Sequence, residues 1–224
     1  MSFLSKHHLA TRANHLILHQ QKHIIMKTTF GIIGAGNIGK TVARHLAKAG
    51  YAVAISNSKG PESLAGVVAD LGESVKAVTA QEAAQADIVI LALPWAQLST
   101  LTGLTDWSGK VVIDATNHFV TYAPDFKLAD LNGRASSEVV QDFVPGAYVV
   151  KAFNTLYFKV LELDPQEGNG KRVIFISGDN AGAKVEVKNA IETIGFAVVD
   201  LGTLAASKIQ QPNEALASLN LIKL

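Results

Sequence analysis

The stretch Gly34-Ala35-Gly36-Asn37-Ile38-Gly39 constrains this chain more than any other. It follows the apolar run Phe30-Gly31-Ile32-Ile33 directly and opens Ile38–Ala49, where Val42, Leu46 and Ala49 recur at helical spacing. A GxGxxG set between a strand and an amphipathic helix is the phosphate turn of a dinucleotide-binding unit. Gly34 permits the tight turn, Gly36 lets the pyrophosphate approach the backbone, and Gly39 allows the helix to close on the strand. The helix amino terminus adds unpaired N–H groups and about half a positive charge. The backbone at Ala35, Asn37 and Ile38 is expected to lend further contacts.

The rest of the chain repeats this alternation. Strand-like runs fall at Thr29–Ile33, Ala52–Ser56, Val75–Val78, Ile88–Leu93, Val111–Asp114, Tyr148–Ala152, Val173–Ser177 and Ala197–Asp200. They are near-continuous Val, Ile, Leu and Ala, as strands covered on both faces should be. Helical spacing occupies Ile38–Ala49, Pro61–Leu71, Gln81–Ala86, Ala96–Leu101, Ser137–Phe143 and Ala181–Ile194, with Gly50 and Gly195 as stops. The pattern predicts an α/β fold: a Rossmann-like, doubly wound, mostly parallel sheet with two extra C-terminal strands, in a single domain over 27–224. Right-handed crossovers and ligands beyond the carboxyl ends of the strands are expected with it.

Composition excludes several alternatives. With 20 basic against 19 acidic side chains in 224 residues, the chain lacks the basic excess of a nucleic-acid binder. The absence of cysteine excludes disulfides, thiolate catalysis and thiolate metal sites. No run of about eighteen apolar residues exists, so no membrane partner and a cytoplasmic setting are expected. Residues 1–26 are basic and hold His7, His8, His15, His19 and His23. They read as a solvated extension or an upstream start before Met26, or as a metal-binding helix face from the fourfold spacing of three histidines.

The end of the second strand selects the nucleotide. An NAD site places Asp or Glu about twenty residues past the first glycine to accept from the ribose hydroxyls. This chain reads Ala54-Ile55-Ser56-Asn57-Ser58-Lys59, with no acid before Glu62. Ser58 and Lys59, assisted by Asn57, can donate to a 2′-phosphate at about 1.5–3 kcal/mol per charge-assisted bond. NADP is therefore expected over NAD. The plainer reading is that Ser56-Asn57-Ser58 turns the chain and caps the helix at Pro61.

Leu93-Pro94-Trp95 ends the fourth strand and Asp114-Ala115-Thr116-Asn117-His118 the fifth, both at the crevice where the nicotinamide half of a dinucleotide runs. Leu93 and Pro94 shape that turn, and Trp95 packs on cofactor or substrate unless it serves packing alone. Asn117 can bond a ribose or carboxamide, or close an Asx turn. Asn154 and Thr155, after Lys151-Ala152-Phe153, can hold the cofactor amide or second substrate, or cap a helix. His118 is not taken as a general acid. No paired carboxylates, Ser-His-Asp set or Lys-centred cluster assembles, so no catalytic side chain and no metal ligand is expected. Hydride transfer between two rings needs stacking geometry and water exclusion rather than an acid or base. Only 72 residues follow Ala152, too few for a large helical substrate domain, so the second substrate belongs in an open pocket on the nucleotide domain.

The motifs Ile32–Gly39, Ser56-Asn57-Ser58-Lys59-Gly60-Pro61-Glu62, Ala92-Leu93-Pro94-Trp95, Asp114-Ala115-Thr116-Asn117, Val149–Thr155 and Phe175–Asp179 together resemble the NADPH-dependent, coenzyme F420-type oxidoreductases. They are also similar to the cytosolic reductase domain of the six-transmembrane metalloreductases. The resemblance covers 27–224. It implies a Rossmann-like fold, NADP at the glycine loop, Ser58 and Lys59 on the 2′-phosphate, and a hydride passed to F420, FMN or FAD as second substrate. It also implies a small-molecule redox acceptor and a homodimer. Lys59 stands where the family more often has Arg, which keeps the charge but loses bidentate geometry. The competing reading is a module that binds NADP without turnover. A small-carbonyl reductase is disfavoured because no Tyr-Lys or His-Asp pair is visible at the site.

Overall fold

Alternate residues of the central strands pack into two separate apolar layers, one on each face of a single sheet. The computed structural model describes residues 28–224. In chain order the elements are β1 (Thr29–Ile33), α1 (Asn37–Lys48), β2 (Ala52–Ser56), a 3-10 turn (Pro61–Leu64) running into α2 (Ala65–Leu71), β3 (Val75–Ala77), α3 (Ala80–Ala83), β4 (Ile88–Leu91), a 3-10 segment (Trp95–Leu101) and β5 (Val111–Asp114). A hairpin of β6 (Phe119–Thr121) and β7 (Lys127–Leu128) follows, then α4 (Ser136–Phe143), β8 (Tyr148–Lys151), α5 (Phe158–Leu161) and β9 (Gln166–Glu167). The chain ends with β10 (Gly170–Gly178), α6 (Ala181–Thr193), β11 (Ala197–Asp200), a 3-10 segment (Ala205–Gln210) and β12 (Ile222–Lys223).

The main sheet runs β11-β10-β8-β5-β4-β1-β2-β3. From β3 to β8 every pair is parallel, and the chain reverses direction along the sheet between β1 and β4, which makes a doubly wound Rossmann-like fold with its switch point there. Two strands extend the sheet after β8. The first of them, β10, joins β8 antiparallel through Ser177 and Gly178, and β11 then pairs with β10 in parallel. Two short strands that sequence pattern did not reveal, β9 and β12, lie antiparallel on the start of β10. They are two residues each, too short to show any periodicity.

Phe30, Ile32, Ile88, Ile90, Ile113, Val150, Ile174 and Ile176 face one layer with Val42 and Leu46 of α1 and Val187 and Ile191 of α6. Ile33, Val89, Leu91, Val112 and Val149 face the other with Leu98, Leu101, Trp107, Val140 and Val144. Burial on both faces explains the unbroken apolar runs. Predicted strand ends overran by one or two residues at Val78, Leu93 and Ala152, where apolar character continues and the amides of Val78, Ala92 and Ala152 still bond the neighbouring strand. The helix predicted over Pro61–Leu71 divides into a 3-10 turn and α2 at Leu64, where the backbone leaves the helical region at φ −101 and ψ 3.

His45 on α1 bonds the Leu161 carbonyl through Nε2 at 2.7 Å and stands edge-on to Phe196. Burial holds its imidazole below the ordinary value of 6.5, against a partial offset from that bond. A depressed folded-state value means the unfolded chain binds the proton more readily. The contribution is complete above pH 6.5 and lost as pH falls through the lower folded value. Urea midpoints of the wild type are therefore expected to decline below pH 6.5. His45→Gln should make that slope shallower, His118 being lowered in the same direction, and an unchanged slope would show that His45 is not responsible.

Candidate functional site

A cavity of about 910 Å³ runs along the carboxyl ends of β2, β1, β4, β5 and β8. At its β1 end the glycine turn departs from Ile33 with Gly34 at φ 115, a left-handed conformation open to glycine. A Cβ on Gly34 would stand 2.3 Å from the Ala92 carbonyl oxygen, and one on Gly39 1.9 Å from that of Gly34. These two glycines bring turn, strand and helix into contact. Gly36 differs, because a Cβ there would meet nothing within 4 Å and would project into open space. The first turn of α1 carries no acidic residue and no side-chain cap, so its N–H groups stay available. This cradle fits a pyrophosphate. Gly34, Ala35, Gly36, Asn37 and Ile38 all line the cavity, while Gly39 is buried beneath it.

Beyond β2, Asn57, Ser58 and Lys59 line the same cavity. Asn57 Oδ1 accepts the Lys59 amide at 2.9 Å, and Asn57 Nδ2 donates to Ser63 Oγ at 2.9 Å. Asn57 thus closes the Asx turn that presents its two neighbours. Ser58 and Lys59 are exposed, and the Lys59 ammonium has no ion-pair partner among the described residues. An unpartnered cation and a hydroxyl at the end of β2 suit a 2′-phosphate.

Leu93 and Pro94 line the middle of the cavity, and Trp95 does not. Trp95 turns away to stand edge-on to His118 at 6.0 Å and packs on the apolar layer with Val78 and Leu104. His118 is buried, its Nδ1 is without a partner, and burial together with nearby Lys151 lowers its value. Neither residue touches the cavity wall.

Past β5 and β8, Asn117 and Asn154 interlock. Asn154 Nδ2 donates to Asn117 Oδ1 at 3.1 Å and to the Gln210 carbonyl at 2.7 Å, while Asn117 Nδ2 donates to the Asn154 carbonyl at 3.2 Å. Phe153 is held at φ 64, a strained value for a bulky residue that costs on the order of 1–3 kcal/mol. That kink sets Asn154 at the cavity wall, with its Oδ1 buried and without a partner.

Beneath this wall lies a pair that sequence reasoning missed. Lys151 Nζ donates to Asp114 Oδ2 at 3.0 Å and to the Thr116 carbonyl at 2.6 Å; Ser137 Oγ donates to Asp114 Oδ2 at 2.6 Å, and the Thr116 amide to Asp114 Oδ1 at 2.8 Å. Both charged side chains are 0% exposed. Burial pushes the Lys151 ammonium down, against the opposing pull of Asp114. The pair pins the turn that carries Asn117. Its signal was present: one acid and one base ending two otherwise apolar strands, at positions that sheet register sets side by side.

The far end of the cavity was also missed. Phe119, Tyr122 and Phe126 of the β6–β7 hairpin, Tyr157 and Phe158 before and in α5, and Gln210 near the C terminus complete it. Among the described residues no His, Asp or Glu group could hold a metal, and no helix is long and apolar enough to cross a membrane. The histidines of 1–26 lie outside the described residues.

Residues 29–118 fit the family described as NADP oxidoreductase, coenzyme F420-dependent. The solved structure of a hypothetical protein, SMa0349 of Sinorhizobium meliloti, is 48% identical with a TM-score of 0.82, covering 92% of this chain and 98% of that one. A second solved structure, from Arthrobacter sp. FB24 and provisionally assigned as an F420-dependent NADP-reductase, is 27% identical with a TM-score of 0.71, over 81% of this chain and 87% of its own. Rat metalloreductase STEAP3 is 30% identical over 80% of this chain. The chain is similar to the F420-dependent NADP oxidoreductases, with the family match confined to residues 29–118. It spans about a third of the length of the curated metalloreductases it matches, 34% in STEAP3. The family match ends at His118, so the aromatic hairpin and everything after it lie outside the matched region.

Proposed function

We propose that the chain is an NADPH-dependent oxidoreductase that passes a hydride to a flavin or deazaflavin ring lying at the β5–β8 end of the cavity. One observation carries this reading: a single cavity joins the uncapped glycine cradle, the free Lys59 cation and the Asn117–Asn154 pair to an aromatic wall. Gly34, Ala35, Gly36, Asn37 and Ile38 would hold the phosphates, Ser58 and Lys59 the 2′-phosphate, and Asn117 and Asn154 the nicotinamide ribose or carboxamide. Bound NADPH supplies the hydride. The protein's part is to fix the two rings in contact and to exclude water, and neither task needs a side-chain acid. The setting proposed with it is a cytoplasmic homodimer.

Calorimetric titration of wild type and Lys59→Ala with NADPH and NADH tests the cofactor assignment. Loss of the charge-assisted bond should weaken NADPH by roughly ten- to hundredfold and leave NADH nearly unchanged. Failure of both nucleotides to bind wild type would end the enzyme reading. Deuterium from C4-dideuterated NADPH should appear at C5 of a reduced 5-deazaflavin, a carbon that does not exchange with solvent, and solvent hydrogen alone at that carbon would overturn direct transfer. The second reading, a nucleotide-binding module without turnover, draws on the scarcity of titratable groups in the lining, where Lys59, Tyr122 and Tyr157 are the members. Saturable NADPH binding with no acceptor-dependent oxidation would favour it.

A further inference from the structure

We infer that the C-terminal segment 204–218 completes the nucleotide site, with Gln210 as a positioning residue that sets the amide of Asn154 and, through it, the amide of Asn117. One N–H of Asn117 is then left to donate to the nicotinamide half of the nucleotide. The inference rests on the proposed NADPH binding and extends the site to a part of the chain beyond residues 29–118.

Two backbone carbonyls decide how the amides stand. A side-chain amide presents either its oxygen or its nitrogen to a neighbour, but a carbonyl accepts only from a donor. The Gln210 carbonyl, 2.7 Å from Asn154 Nδ2, therefore holds that nitrogen on its own side. The Asn154 carbonyl, 3.2 Å from Asn117 Nδ2, does the same for Asn117. Asn154 Nδ2 gives its second N–H to Asn117 Oδ1 at 3.1 Å. Both hydrogens of the Asn154 amide are then used, and one of the two on Asn117 is not. Asn117 is half-buried and lines the cavity, so this N–H is the donor that the interlocked pair offers a ligand.

Gln210 is itself fixed. It is 1% exposed, its Oε1 accepts from Ser177 Oγ at 2.7 Å, and its Nε2 donates to the Phe175 carbonyl at 3.2 Å. Both anchors belong to β10, and sheet register sets Ser177 opposite Lys151 at the end of β8. The segment is tied again after Gln210: the Ser136 amide donates to Gln211 Oε1 at 2.7 Å, and the Ser218 amide donates to the Thr155 carbonyl at 2.7 Å. Between those ties Pro212, Ala217 and Ser218 reach the cavity lining.

The backbone at Phe153 gives an independent reason. A bulky residue at φ 64 persists only where its surroundings hold it there. The two residues that follow are the two that the segment clasps, Asn154 through its side chain and Thr155 through its carbonyl. Without the clasp the kink is free to relax, and the two amides lose their alignment with it.

Calorimetric titration with NADPH and with 2′,5′-ADP, which carries the 2′-phosphate and the adenosine but no nicotinamide, separates positioning from folding. Ser177→Ala removes one anchor of Gln210 at a 0% exposed position that does not line the cavity, and Gln210→Met removes both at similar volume. NADPH should weaken about threefold in Ser177→Ala and about tenfold in Gln210→Met, as for the loss of one and two neutral hydrogen bonds, while 2′,5′-ADP binds both variants as it binds wild type. Asn117→Asp keeps the acceptor for Asn154 and replaces the spare N–H by oxygen, so NADPH should weaken by about tenfold or more, again with 2′,5′-ADP unaffected. Thermal unfolding checks that each variant is folded, and if Gln210→Met is not, Ser177→Ala carries the test. Unchanged NADPH affinity in a folded variant, or equal loss of both ligands, overturns the inference, since a residue that serves only the fold lowers the unfolding midpoint without separating the two. Failure of 2′,5′-ADP to bind wild type would instead overturn the nucleotide reading on which it rests.

Discussion

Truncation of Lys151 to alanine is expected to cost about 3–5 kcal/mol of folding stability, because it leaves the Asp114 carboxylate charged in a site with no access to water. Both side chains are 0% exposed, and the remaining partners of Asp114, Ser137 Oγ and the Thr116 amide, are neutral. The size of the effect measures an abandoned charge and not the net worth of the pair. Removing the whole network separates the two. Lys151→Met, Asp114→Val and Ser137→Ala together should recover most of the loss, since apolar groups of similar volume replace buried ion pairs at little cost. Recovery stays incomplete because the Thr116 carbonyl also loses its donor. Urea unfolding reads both variants, and a loss below about 1 kcal/mol for Lys151→Ala would show that water or another cation reaches Asp114. The triple variant carries the functional readout. With stability largely restored but the turn to Asn117 no longer pinned, NADPH affinity should fall while Lys59-dependent discrimination against NADH persists.

How much of this was legible in sequence follows from the range of each interaction. The phosphate turn was readable because its physics is local: strand, three glycines and helix lie within about twenty residues, and each glycine answers one steric demand. The eight main-path strands were readable because burial on both faces writes unbroken apolar runs. The Lys151–Asp114 pair was not read, although Lys151 and Asp114 were both in view, because only the register of β5 with β8 sets them side by side. Trp95 was ambiguous for a related reason. Its neighbours Leu93 and Pro94 do line the cavity, but the 3-10 turn that begins at Trp95 rotates the indole toward His118. The aromatic hairpin was invisible. Its strands are three and two residues long, and its exposed Phe and Tyr resemble scattered surface aromatics until β5 delivers them to the cavity.

Gly36 and Gly39, three residues apart in one motif, are expected to fail in opposite ways when replaced by alanine. At Gly36 the backbone is extended, φ −76 and ψ −168, which any residue adopts, and the added methyl would meet no atom within 4 Å. Stability should change by no more than about 0.5 kcal/mol, as at an unconstrained surface position. The methyl would occupy the space through which a pyrophosphate approaches the α1 amides. Displacing one such charge-assisted bond costs about 1.5–3 kcal/mol, so affinity should fall roughly ten- to hundredfold. NADPH and NADH should suffer alike, which sets this variant apart from Lys59→Ala. At Gly39 the methyl would stand 1.9 Å from the Gly34 carbonyl oxygen and 3.3 Å from Ile32 Cγ2. Backbone cannot rotate aside as a side chain can, so α1 must lift from β1. A destabilisation of about 1–3 kcal/mol or more follows, as for overpacking in a closed core. Nucleotide affinity falls with it, because the lifted helix no longer aims its N–H groups at the phosphates. Thermal unfolding and calorimetric titration of the two variants side by side decide the matter: a stable Gly36→Ala that binds normally would remove the cradle from the site, and an unperturbed Gly39→Ala would contradict the close approach of helix to turn.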